Sequence, residues 1–125
     1  MESTAATQNL AFPARAIPWT RRTGEMMLRI VGDSEPILRG HVNELATITI
    51  VRHDGTSLVA FNSALRGYRS QGKTYIVVYV PKRMAPMWSL IKEEEKSGGD
   101  VPLLIALSGI KVKARGLKKR KVKKG

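Results

Sequence analysis

The chain predicts an α+β fold: an antiparallel sheet of about five or six strands, open or closed into a small barrel, with one helix in its C-terminal half. Three observations carry that expectation. Short β-branched and aromatic runs follow one another from Met26 to Ile110, separated by Gly, Asp and Ser turn signals. Only Lys82–Lys96 places apolar residues at helical spacing. That helix comes late, so helices do not alternate with strands as a parallel doubly wound sheet requires.

Residues 1–25 contain Pro13 and Pro18 and read as neither helix nor strand. They are expected to form an extended N-terminal arm that lays Phe12 and Trp19 against the body or against a protein partner. A transit peptide would share the Arg-containing, acid-poor composition, but two prolines spoil an amphipathic helix. The globular body is placed at residues 26–115.

Met26–Val31 is the first expected strand, closed by the turn Gly32-Asp33-Ser34, and Pro36–Val42 a short second one. Leu45–Arg52 is half-buried, with Ile48 and Ile50 on one face and Thr47 and Thr49 on the other. Asp54-Gly55 turns the chain, since glycine takes positive φ without strain, and Ser57–Phe61 returns as the partner strand. Asn62–Lys73 is polar and reads as a loop. Within it Arg66, Tyr68, Arg69 and Lys73 interleave charge with an aromatic ring, a pattern that grips single-stranded nucleic acid.

Thr74–Val80 is a central strand. Ile76, Val78 and Val80 should meet the core, leaving Tyr75 and Tyr79 covered by the helix or open as a stacking platform. Pro81 ends that strand. Pro86 suits a first helical turn, so the helix should start near Ala85 and stop at Gly98-Gly99. Its glutamates, Glu93 to Glu95, point in successive directions and read as a solvated face. Val101–Ile110 is a buried strand with a bend at Ser108-Gly109.

Charge is distributed unevenly. The chain holds 22 Lys and Arg against 10 Asp and Glu, a net charge of +12. Nine of those bases lie in the last fifteen residues: Lys111, Lys113, Arg115, Lys118, Lys119, Arg120, Lys121, Lys123 and Lys124. No acid accompanies them, so the first 110 residues carry 13 bases against all 10 acids. Lys111, Lys113 and Arg115 alternate with Val112 and Ala114 like the end of a strand. Gly116 then starts a basic tail over residues 116–125. Such a run cannot bury itself and finds its partner in a polyanion, because each arriving base releases counterions from a phosphate backbone.

Other chemistry is missing from the residues. Without cysteine there are no disulfides, thiol nucleophiles or Cys-zinc sites. No Walker loop, dinucleotide glycine fingerprint or G-x-S-x-G is present, and His41 and His53 stand alone in sequence. No apolar run approaches the ~20 residues of a membrane span. The expected protein is therefore an intracellular, cytoplasmic or nucleoid/nuclear, non-enzymatic nucleic-acid binder that is not secreted and needs no cofactor or metal. The balance leans to RNA, because a compact domain with a long basic extension is the form ribosome-associated proteins use. A chromatin or single-strand DNA protein remains open. So does a structural or adaptor protein, including a virion subunit, that binds its partners through the arms.

Overall fold

Six strands close on themselves into a barrel. In the computed structural model, which describes residues 10–113, they are β1 (Leu10–Thr20), β2 (Met26–Val31), β3 (Glu44–Val51), β4 (Ser57–Ser70), β5 (Lys73–Tyr79) and β6 (Val101–Lys111). The order around the barrel is β1-β2-β5-β4-β3-β6, every neighbouring pair is antiparallel, and β6 returns to β1. Two helices accompany them, α1 (Glu35–Leu38) and α2 (Ala85–Gly98). The α+β expectation with a small barrel describes this architecture.

The interior is filled by alternate residues of each strand. Ala46, Ile48 and Ile50 point inward from β3, Leu103, Ile105 and Leu107 from β6, and Ile76, Val78 and Val80 from β5 and its end. β1 contributes small residues, Ala14 and Ala16, where it crosses the barrel. The two ends are plugged from the helices. Leu38 of α1 enters where β2 finishes, and Ile91 of α2 enters where β5 finishes; both side chains are fully buried. Burying such residues supplies most of the stability, about 1.5–3 kcal/mol for each fully covered aliphatic side chain.

Three segments differ from the sequence expectation, each for a physical reason. The supposed N-terminal arm is extended, but from Leu10 onward it is the strand that closes the barrel. Phe12 packs against the core, and β1 joins β6 to β2. Its prolines are tolerated because the strand is staggered. Pro13 pairs with Leu104 of β6 before the pairing to β2 begins at Arg15, and Pro18 pairs with Leu28 of β2 after the pairing to β6 has ended at Ala16. Each proline thus has a side on which no ladder N–H is needed. The body therefore includes Leu10–Thr20 as well as the residues from Met26 on.

Pro36–Val42 is not a strand. It forms α1 and a short 3-10 turn over Arg39–His41, with Pro36 in the first helical turn and Glu35 paired to Arg39 at 2.8 Å one turn later. Asn62–Lys73 is not a loop. β4 runs straight through it to Ser70 and turns at Gln71 (φ 52°) and Gly72 (φ 80°), both in the left-handed region that a two-residue hairpin turn demands.

The other turns and ends follow expectation. The chain reverses at Asp54-Gly55, and the Asp54 carboxylate accepts from the Thr56 N–H and hydroxyl. Gly99 (φ 88°) closes α2. Gly109 (φ 81°) forms the bend in β6, where the register against β3 shifts. β6 ends at Lys111. Of the expected basic segment Lys111 and Lys113 are described, whereas Arg115, Lys118, Lys119, Arg120, Lys121, Lys123 and Lys124 lie outside the described residues.

Candidate nucleic-acid interface

On the outer surface of β1, β2, β5 and β4, the residues that alternate with the core form a second cluster. Tyr75 sits opposite Tyr68 in the β4–β5 ladder, and Trp19 of β1 reaches over β2 to meet both. The Trp19 ring lies 5.5 Å from Tyr75 and 6.0 Å from Tyr68, each edge to face (77° and 69°), the arrangement that aromatic quadrupoles favour. Beneath the rings Met27 and Val77 are 1% and 0% exposed although they face away from the barrel core.

Arginines thread this cluster. The Arg29 guanidinium lies 4.6 Å from the centre of Tyr75 and 5.3 Å from that of Trp19, and Arg21 stands 5.3 Å over Tyr68. At these cation–π distances the guanidinium groups are held against the rings. Arg21 also pairs with Glu25 at 2.7 Å, which holds its guanidinium still more firmly protonated. Tyr79, half-buried farther along β5, has its hydroxyl pushed above the usual range, first by burial and then by the nearby Glu25 charge.

Of the four basic and aromatic residues expected to act together, three share this outer surface. Arg66 and Tyr68 alternate outward along β4, and Lys73 precedes Tyr75 by two on β5. Arg69 projects from the opposite side of β4 and is exposed. Tyr75 and Tyr79 are not covered by the helix, because α2 packs over β1 and β6 instead.

Arg66 is tied to the start of the basic segment through Asn43. Its Nη1 donates to the Asn43 Oδ1 at 2.7 Å. Asn43 (φ 73°) donates its N–H to the Leu65 carbonyl and accepts from the Val112 N–H, both at 2.7 Å. Residue 112 therefore leaves the barrel next to Arg66. Glu44, 6% exposed, fixes the same corner by accepting from the Gly109 N–H at 2.7 Å and bonding the His41 Nδ1 at 2.8 Å. The His41 bond is the largest of the influences that hold its carboxyl below the usual glutamate range; the Gly109 N–H adds to it, and burial opposes both.

Both histidines are hydrogen-bonded to glutamates. His53 shares its Nδ1 with the Glu94 Oε2 at 2.6 Å and donates its backbone N–H to the same oxygen at 2.8 Å. The expected solvated row of glutamates is thus only partly so: Glu94 clamps α2 onto the β3–β4 turn, and the His53 N–H lowers its pKa. Gly98 packs directly under this ring, so a methyl group at that position would clash with the His53 imidazole and force it to shift. Among the described residues no group of three or more His, Asp or Glu side chains is placed to hold a metal ion, and no helix is long and apolar enough to cross a membrane.

Sequence reasoning missed Trp19, Arg21, Arg29 and Arg39 as parts of one surface. A signal was present in β1, where Arg15, Ile17 and Trp19 alternate with Ala14, Ala16 and Pro18. The prolines masked that period. The chain matches no protein-family model, no curated protein and no solved structure.

Proposed function

We propose that this protein is a non-enzymatic nucleic-acid-binding module that uses its outer barrel surface and its basic C-terminal segment together, with RNA in a ribonucleoprotein assembly as the leading ligand. The observation that carries the reading is the interleaving of Trp19, Tyr68 and Tyr75 with Arg21, Arg29 and Arg66 on one surface, beside the point where the basic segment departs. Rings of this kind stack on bases whatever their sequence, and guanidinium groups meet phosphates. The run from Lys111 to Lys124 adds affinity that is independent of sequence.

The test is binding of the full chain to labelled single-stranded RNA, single-stranded DNA and duplex DNA across a salt series. A steep fall of log K with log salt, corresponding to several phosphates, is expected. A chain ending at residue 115 lacks six bases and should bind more weakly with a flatter slope, by about 0.7 per lost single-strand phosphate contact. Equal, salt-indifferent binding by the two chains would refute the proposal. The order of the three ligands decides between RNA and DNA.

A further inference from the structure

β2 and β5 are hydrogen-bonded neighbours over only three residue pairs, Met27 with Tyr79, Leu28 with Val78 and Arg29 with Val77. Beyond Arg29 they part. Ile30 and Val31 pair with β1 on their other side, and Lys73 to Ile76 pair with β4 on theirs. A cleft of about 610 Å³ opens in the gap, between the diverging strands and α1. That is the size of a pocket for a small molecule or a single nucleotide unit.

Its walls carry three cations, Arg29, Arg39 and Lys73, and a single acid, Glu35. Glu35 is occupied by Arg39, which also donates to the Thr74 carbonyl at 2.8 Å and so stands fixed across the cleft from α1 to β5. Lys73 is exposed and has no acidic partner among the described residues. Arg29 lines the cleft with its guanidinium 4.6 Å from the centre of the Tyr75 ring, and its Nε is buried without a hydrogen-bond partner among the described residues. Tyr75 lines the cleft and also belongs to the aromatic cluster, so the two are continuous.

We propose that this cleft is a nucleotide subsite: it takes one unstacked unit of a single-stranded RNA or DNA, with its base against Tyr75 and its phosphate among Lys73, Arg39 and Arg29. The inference rests on the nucleic-acid reading and narrows it, because a duplex keeps its bases stacked and cannot present one to the gap. It makes the barrel selective for single strands, while the basic segment binds either form.

The full chain and two full-length variants, Lys73→Glu and Tyr75→Leu, are titrated with a ten-nucleotide oligouridylate, the matching oligothymidylate and a short DNA duplex, with thermal melts to confirm folding. Each variant should lose about tenfold in affinity for both single strands, the scale of one stacked base or phosphate contact, and stay within about twofold of the parent on duplex. Ultraviolet crosslinking of oligouridylate to the parent chain should mark the tryptic peptide 74–82, which contains Tyr75. Folded variants that bind single strands like the parent, with crosslinks confined to residues beyond 110, would overturn the subsite and leave the polyanion reading standing. No binding of any ligand at low salt would overturn both.

Discussion

The barrel has two unlike sides. Around β1, β2, β5 and the second half of β4, the outward positions carry Trp19, Met27, Arg29, Tyr75, Tyr79, Arg66 and Tyr68. Around β6, β3, the first half of β1 and the first half of β4, the equivalent positions include Leu104, Ala106, Thr47, Thr49, Ala11, Pro13, Ala60 and Asn62, none of them charged; Arg15, where β1 passes from one side to the other, is ion-paired to Asp100 at 3.0 Å. Solvent exposure alone favours polar residues on both sides. Rings and guanidinium groups are concentrated on one side, in a chain that is 26% charged, and the proposed nucleic-acid contact rests on that side. On the plain side, small side chains only need to fit a pleated surface, as in the hydrogen bond from the Thr47 hydroxyl to Asn62 at 2.9 Å.

The largest effect should separate the sides by stability. Trp19→Ala uncovers Met27 and Val77 and should cost about 2–3 kcal/mol in chemical denaturation, whereas Leu104→Ala, at a position already 42% exposed, should cost less than about 1 kcal/mol. Equal losses would mean that the aromatic cluster is surface decoration. Next comes the corner where the basic segment departs. Glu44 has a lowered pKa in the folded chain, so its contribution is complete above the ordinary carboxylate range near pH 4.5 and fades as pH falls through the folded value. Glu44→Gln should remove about 1–2 kcal/mol at pH 7 and flatten the loss of stability on acidification, read from melting temperature against pH. The smallest effect concerns binding alone. Arg66→Ala should weaken single-strand affinity a few-fold, and Thr49→Ala should leave it unchanged. An equal response from the plain side would erase the proposed division of labour.

Much of the barrel is legible from residue order because period-two alternation is local. β2 and β3 fall within a residue of where side-chain patterning puts them, and Gly55, Gly99 and Gly109 mark their turns through positive φ. Pro13 and Pro18 obscured β1, since their tolerance depends on the stagger of a strand between two neighbours, a property of the closed sheet rather than of the segment. Polar content obscured the second half of β4 for a related reason: Arg66 and Tyr68 face a surface that holds a cluster of its own. Arg66, Tyr68 and Lys73 were identifiable as one group from composition. Their partners Trp19, Arg21 and Arg29 were not, because 37 residues or more separate them from that group and only barrel closure brings them together.

The most direct test follows backbone amide resonances of the full chain during titration with a single-stranded oligouridylate. Shifts should concentrate at residues 19–31 and 66–79, with residues 45–50 and 101–107 unmoved. Perturbation spread equally over both sides of the barrel, or centred on the uncharged one, would contradict the account.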